Sequence, residues 1–171
     1  MGLIRYNLGS GAKYKTDWVN VDIHATADIQ ADLGIFPWKI ESESVDEILA
    51  SHILEHFTKQ DGRLFIAECA RILKPGGLLY IAVPDMDKFI DCKVNGDYGP
   101  LNGYGWIDLN YFMGGDEREG NLYQRHRYMY TFESLAYALD EYGFNARKRG
   151  PMPFDSHEYA AISLYVTAVK E

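Results

Sequence analysis

Apolar residues along the chain fall into strand-length runs and into longer segments with helical spacing. Strand-length runs predict strands at 3–8, 18–23, 27–33, 45–51, 78–83 and 159–169. Helical spacing predicts helices at 58–73, where Phe65, Cys69 and Ile72 share one face, and at 131–142. Strands that alternate with helices in this way predict an α/β domain with a largely parallel sheet between helix layers.

The segment 86–130 does not follow this pattern. It is rich in Gly, Asn, Asp and Tyr, it lacks a steady period, and it carries many aromatic residues. Long irregular segments inside a compact domain are commonly functional, so we expect a lid or substrate pocket here. The alternative is a covering loop at the periphery. The length of the chain predicts a single domain over 1–171, with 86–130 as an insertion.

Polar residues gather where the predicted strands end, at Gly9-Ser10-Gly11, Asp22, Asp32, Ser51-His52 and Pro84-Asp85. Ligands of parallel sheets bind beyond the carboxyl ends of the strands. Gly9 and Gly11 lack a Cβ, so the backbone can approach a ligand closely. The carboxylate of Asp22 can accept two hydrogen bonds from a ribose diol. These positions therefore favour a ligand that contains a nucleoside.

Six segments in this order resemble the class I S-adenosylmethionine-dependent methyltransferases. They are YNLGSG (6–11), WVNVDI (18–23), ADIQADL (27–33), VDEILASHILEHF (45–57), ARILKPGGLLYIAVPD (70–85) and YTFESLAYALDEYGF (130–144). The likeness covers about residues 3 to 149 and is to small methyltransferase-domain proteins with a short loop after the first strand.

The resemblance implies a three-layer, Rossmann-like sheet, mostly parallel with an antiparallel C-terminal strand. It also implies S-adenosylmethionine as the cofactor and methyl transfer to a small-molecule or sugar-like acceptor. The positions that the resemblance assigns to the cofactor are Asn7, Gly9, Ser10, Gly11, Asp22, Ile23, Asp32, Leu33, Ser51 and His52.

Only residues 12–17 separate the glycine-rich turn from the second predicted strand, so a full first helix cannot fit. Tyr14 stands where a dinucleotide motif has its third glycine, and no helix N-terminus is available for a pyrophosphate. S-adenosylmethionine has no phosphate and needs neither. The short connection therefore counts against the alternative of a nicotinamide oxidoreductase.

Residues 52–56 spell His-Ile-Leu-Glu-His, the inverted zinc-protease pattern, so a zinc hydrolase is a second alternative. That pattern requires the interior of a helix and a third protein ligand. His52 instead follows an apolar strand directly, and the methyltransferases commonly carry Leu-Glu-His at this place. We therefore predict no metal, with Glu55 and His56 tying down a loop.

Methyl transfer from a sulfonium mainly requires positioning, and a base is needed only when the acceptor is poorly ionised. The candidate bases are His126, His52 and Asp85. Histidine suits proton removal near neutral pH. The alternative for His126 is a polar contact that anchors a loop, and a non-catalytic cofactor-binding protein on the same fold also remains open.

Charge and composition limit the partners. The chain has 171 residues and a net charge of −8, which disfavours a nucleic-acid partner because such binding rests on basic surfaces. No apolar run is long enough to span a membrane, and no secretory signal follows Met1. Two cysteines are too few for a disulfide framework, so we expect a cytoplasmic protein. The sequence does not predict the oligomeric state.

Overall fold

The computed structural model describes residues 2–96, 125–150 and 163–171. In these ranges one sheet contains β1 (Arg5–Leu8), β2 (Val19–Asp22), β3 (Ile29–Gln30), β4 (Val45–Ser51), β5 (Leu73–Pro84), β6 (Phe144–Arg149) and β7 (Ser163–Lys170). Their spatial order is β3-β2-β1-β4-β5-β7-β6. The first five strands are parallel, and β7 lies antiparallel between β5 and β6. The predicted α/β, Rossmann-like class and the antiparallel C-terminal strand are confirmed.

Three α-helices lie in the described ranges, and each begins at a polar cap; one short 3-10 helix, Leu54–His56, precedes them. The first, α1 (Lys59–Ile72), follows Thr58, whose side chain accepts a hydrogen bond from the Asp61 amide. The second, α2 (Met86–Asn95), follows Asp85 and ends at Gly96, which has a φ of 66°. The third, α3 (Phe132–Asp140), starts with a capping box between Thr131 and Ser134.

The core lies on one face of the sheet, under α1 and α3. Phe65, Cys69 and Ile72 of α1 and Leu135 and Leu139 of α3 are buried there. They pack with the side chains of alternate strand residues, which include Leu8, Ile48, Ile81 and Val166. This packing fixes the sheet, so its carboxyl-end edge is a rigid platform for a site.

No helix connects β1 to β2, as the short spacing predicts. Instead, two side-chain amides tie the connecting loop to the strands. Asn7 Nδ2 donates to Asn20 Oδ1 at 2.9 Å and to the Lys13 carbonyl at 3.2 Å. Asn20 Nδ2 donates to the Lys15 carbonyl at 3.0 Å. These hydrogen bonds give partners to the buried amides of Asn7 and Asn20 and to two backbone carbonyls of the helix-free crossover.

Some boundaries differ from the predictions. The third strand is only Ile29–Gln30, and β5 begins at Leu73 because this residue pairs with Val45 before a bulge. The strand β6 was not predicted, since charged residues interrupt its alternation. The segment 86–130 was predicted to be irregular, but its first part is α2. Residues 97–124 and 151–162 lie outside the described ranges, so the predictions made for them stay open.

No helix in the described ranges is long and apolar enough to cross a membrane.

Candidate active site

A cavity of about 440 Å³ opens at the carboxyl ends of β1, β2 and β4. Its volume lies in the range of small-molecule sites, roughly 300–1,000 Å³. The residues that line it are Gly9, Gly11, Asp22, Ile23, His24, Ala31, Asp32, Leu33, Gly34, His52, Ile53, His56, Phe57, Asp61 and Arg127. The strand ends of the parallel sheet therefore line a cavity of this size, at the edge where the topology predicts a ligand.

Asp22 ends β2 and projects its carboxylate to the cavity wall, although the residue is only 8% exposed. One oxygen accepts a hydrogen bond from the Gly11 amide at 2.8 Å, and the other accepts one from the His24 amide at 3.0 Å. A carboxylate oxygen has a second lone pair. Both oxygens of Asp22 are thus held by backbone and retain acceptor capacity for a ligand diol.

The two glycines of the first turn have different roles. Gly9 has a φ of +70°, and a Cβ there would lie 2.8 Å from the side chain of Ile53. Gly11 has a φ of +51° and open space where its Cβ would be. Close approach to a ligand was expected for both glycines. Close packing against a neighbouring side chain is observed for Gly9 alone.

Asp32 and Leu33 form the wall next to β3. Asp32 Oδ1 accepts a hydrogen bond from the Gly34 amide at 2.8 Å, which fixes the turn. The carbonyl of Leu33 accepts a hydrogen bond from the Trp38 indole at 3.1 Å, and the Leu33 side chain is buried. This wall presents one carboxylate beside an apolar surface. Such a combination suits a nucleobase or another flat polar ring.

His52 occupies the end of β4 in a left-handed conformation with a φ of 51°. Its Nδ1 lies 3.2 Å from Glu55 Oε1, and its Nε2 lies 3.0 Å from Ser163 Oγ. A carboxylate only accepts, so Nδ1 carries the proton and Nε2 accepts from the serine hydroxyl. Both ring nitrogens of His52 are therefore used in positioning.

Glu55 lies at the centre of a histidine cluster and is 1% exposed. Burial raises the pKa of its carboxyl group, but the His52 hydrogen bond and the nearby imidazoles of His56 and His126 outweigh burial and hold the pKa below its usual value. Glu55 is therefore an ionised carboxylate at neutral pH, inside the protein.

Backbone hydrogen bonds bring the segment 125–128 to this cluster. The carbonyl of Glu55 accepts from the amides of Arg127 at 2.7 Å and Tyr128 at 3.3 Å. The His126 ring then packs edge-on against His56, with ring centroids 5.1 Å apart. The same pairing brings Arg127 to the cavity wall.

The structure places the three candidate bases in different surroundings. His52 lines the cavity, and His126 lies behind it against His56. Asp85 is 1% exposed and caps α2, where its Oδ1 accepts from the amides of Asp87 and Lys88. Among the described residues, Asp85 is not part of the cavity wall, and its observed contacts are those of a helix cap.

The predicted cofactor positions divide into two groups. Gly9, Gly11, Asp22, Ile23, Asp32, Leu33 and His52 line the cavity. Asn7, Ser10 and Ser51 lie beside it, and Asn7 instead holds the β1–β2 loop. Phe57, Asp61 and Arg127 also line the cavity, although the sequence pattern does not predict them as wall residues. Arg127 gives no local signal, because a distant backbone contact brings it there.

Comparisons with known proteins find methyltransferases. Residues 10–81 match a family model described as a methyltransferase domain. A segment of 65 residues is 42% identical to a ubiquinone biosynthesis O-methyltransferase from Chelativorans sp. (strain BNC1). That segment is 37% of this chain, and it spans only 22% of the relative.

Solved structures share the fold across nearly the whole chain. A SAM-dependent methyltransferase from Archaeoglobus fulgidus has a TM-score of 0.62 and 14% identity, over 99% of this chain and 87% of its own. The 1,6-didemethyltoxoflavin-N1-methyltransferase of Burkholderia thailandensis, with bound S-adenosylhomocysteine, has a TM-score of 0.59 and 15% identity, over 98% and 70%. Residues 10–81 are thus similar to a methyltransferase domain, and the fold of nearly the whole chain is the one found in S-adenosylmethionine-dependent methyltransferases.

Proposed function

We propose that this protein transfers a methyl group from S-adenosylmethionine to a small-molecule or sugar-like acceptor. The observation that carries the proposal is Asp22, a buried carboxylate held by two backbone amides at the wall of the cavity. A ribose diol needs such a pair of acceptors. A dinucleotide could use the same carboxylate for its ribose, but no helix follows β1 to hold its pyrophosphate.

The other wall residues fit the same ligand. Asp32 and Leu33 would hold the adenine ring, and the β4 end at Ser51 and His52 would flank the methionine part. When bound, S-adenosylmethionine supplies a methyl group on a sulfonium that is already an activated leaving group. The chain then has to orient the two reactants and exclude water.

The acceptor would lie beside His52, His56 and Arg127, which line the same cavity. His126 is the proposed base, and its ring lies against His56. A base at this place would take the proton of an acceptor hydroxyl or amine as the methyl group is transferred. His52, with both nitrogens bonded, is proposed as a positioning residue.

The acceptor class rests on two further facts. The Chelativorans relative is named for ubiquinone biosynthesis and the Burkholderia neighbour for a toxoflavin precursor, both small molecules. The net charge of −8 disfavours a nucleic-acid acceptor.

We also propose that the protein is cytoplasmic. The free cysteines Cys69 and Cys92 are buried, and free thiols fit a reducing compartment.

Calorimetric titration with S-adenosylmethionine and S-adenosylhomocysteine tests the cofactor. We expect one molecule to bind and to raise the melting temperature, because any ligand of the native state stabilises it. Titration with NAD and NADP is the matched control. Binding of a nicotinamide cofactor with no binding of S-adenosylmethionine would overturn the proposal.

Incubation with methyl-labelled S-adenosylmethionine and a metabolite extract tests the reaction. Transfer of label to a small, acceptor-dependent product supports an enzyme. Tight cofactor binding without any transfer supports the second candidate, a protein that binds the cofactor and regulates a partner. One structural neighbour, from Haloferax volcanii, is a methyltransferase in complex with its activator Trm112, so a partner belongs in this assay as well.

A further inference from the structure

Glu55, His56 and His126 form a cluster that the proposed reaction does not explain fully. One ligand-type atom from each residue lies within 4.8 Å of the other two. Glu55 Oε1 lies 4.0 Å from His56 Nε2. Two imidazoles and one carboxylate are the protein ligands of many catalytic zinc sites.

The burial of Glu55 is the second observation. Its side chain is 1% exposed, and one oxygen, Oε1, lies close to His52. In the part of the chain that the structure describes, the other oxygen, Oε2, is buried and has no hydrogen-bond partner. A buried carboxylate oxygen without a partner costs free energy, unless a cation or donor not present in the structure satisfies it.

The tautomer of His56 is the third observation that fits a metal ligand. Its Nδ1 lies 3.3 Å from the carbonyl of Arg125, which can only accept, so Nδ1 carries the proton. In the neutral form of the ring, Nε2 then has the lone pair, and Nε2 lies 4.0 Å from Glu55 Oε1. Metal-ligating histidines characteristically donate their other N–H to a carbonyl or carboxylate in this way.

His52 orients the Glu55 carboxylate through a hydrogen bond. Its Nδ1–H donates to Oε1, and Ser163 holds its other nitrogen. The carboxylate is thereby oriented by a hydrogen-bonded neighbour, as ligating carboxylates commonly are. This arrangement differs from the zinc-hydrolase pattern, in which His52 and His56 would both be ligands.

We propose that Glu55, His56 and His126 bind a divalent transition metal of the zinc type, with His52 orienting the carboxylate. With the metal bound, His126 is a ligand and not the base, because a coordinated imidazole nitrogen has no lone pair for a proton. Zinc–ligand bonds of about 2.0–2.2 Å place tetrahedral ligands roughly 3.3 Å apart. The present separations, 4.0 Å between Glu55 Oε1 and His56 Nε2 and no more than 4.8 Å within the cluster, have to shorten to this value when the ion binds. The sequence alone predicts no metal, and the prediction has not been tested.

A metal with three protein ligands keeps at least one position open. His56 also lines the cavity, so water or an oxygen of the acceptor can take that position. The site therefore favours acceptors that present a hydroxyl or another oxygen donor. Two nitrogen ligands favour zinc over magnesium, which prefers oxygen alone.

Metal binding is measured without cofactor or acceptor, so the test does not depend on the proposed function. The full chain is stripped with a chelator and titrated with zinc chloride by calorimetry, and elemental analysis gives the stoichiometry. We expect one zinc ion per chain and weaker binding of magnesium chloride. The absence of zinc binding by the folded chain, or tighter binding of magnesium, would overturn the proposal.

Variants assign the ligands. His126→Ala and Glu55→Gln should each weaken zinc binding by at least roughly 100-fold, because loss of an orienting neighbour alone costs about 10–100-fold. Glu55→Gln retains the volume and an acceptor oxygen for His52, so it serves if other changes disturb folding. His24→Ala is the matched control and should bind zinc like the parent chain. Unchanged zinc affinity in folded His126→Ala would reject the site. The site would also be rejected if His52→Ala lost zinc while His126→Ala and Glu55→Gln kept it.

Discussion

The backbone amide of Arg127 donates a 2.7 Å hydrogen bond to the carbonyl oxygen of Glu55. This bond joins the segment before α3 to the turn after β4, and it places His126 beside His56. One wall of the cavity is thus built from two parts of the chain that are remote in sequence. The chemistry proposed for the acceptor side depends on this contact.

Replacement of Asp22 tests the cofactor site. Asp22→Ala removes acceptors for a ribose diol, so binding of S-adenosylmethionine should weaken by about 1–3 kcal/mol, the scale for hydrogen bonds to a charged group. Calorimetry measures the affinity, and circular dichroism verifies the fold because the carboxylate also holds Gly11 and His24. The exposed Asp17→Ala is the control. Equal affinities of the two variants would contradict the assignment.

Replacement of His126 tests the acceptor side. His126→Ala should lower single-turnover methylation by about 10²–10⁴-fold, the range for loss of a general base. Affinity for S-adenosylmethionine should change little, because His126 is not part of the wall around Asp22. Full activity of the variant would remove His126 from the mechanism. Loss of cofactor binding in a folded variant would move it into the cofactor site.

The two glycines of the first turn form a matched pair. Alanine at either position adopts a positive φ, which costs about 1–2 kcal/mol. Gly9→Ala also forces a Cβ against Ile53, and such overpacking costs a further 1–3 kcal/mol or so. We therefore expect Gly9→Ala to lower the free energy of unfolding more than Gly11→Ala, as measured by urea denaturation. Equal losses of unfolding free energy in the two variants would show that the Ile53 side chain moves aside at no cost.

Glu68 predicts a pH dependence of stability. Its hydrogen bond with Arg71 holds its pKa below the ordinary value of 4.5, and it also accepts from the Trp38 amide at 2.7 Å. A lowered folded pKa means that Glu68 stabilises the protein above pH 4.5 and that this contribution is lost as the pH falls through the folded pKa.

Glu68→Gln should therefore lower the free energy of unfolding by about 1–3 kcal/mol at pH 7. The difference from the parent chain should shrink below pH 4.5. Urea denaturation across this pH range measures both, with the exposed Glu41→Gln as the control. A difference that stays constant down to acidic pH would mean that the charge of Glu68 is not the cause.

The sequence by itself determined the local elements and the edge of the sheet at which the cavity lies. The spacing of Phe65, Cys69 and Ile72 predicted α1, and its Thr58 cap lies where the predicted helix begins. The position of Asp22 at the end of a β-branched run predicted a carboxylate at the binding edge. These features could be predicted because hydrophobic periodicity and capping depend on neighbours within a few residues.

Only the tertiary structure decided which distant residues meet. The contact of Gly9 with Ile53 and the cluster around Glu55 join segments that no periodic signal connects. The edge strand β6 was missed because pairing with β7, rather than its own residue pattern, makes it a strand. Hydrophobic patterns report how each segment faces solvent, whereas a site of this kind arises from backbone hydrogen bonds between segments that are far apart in sequence.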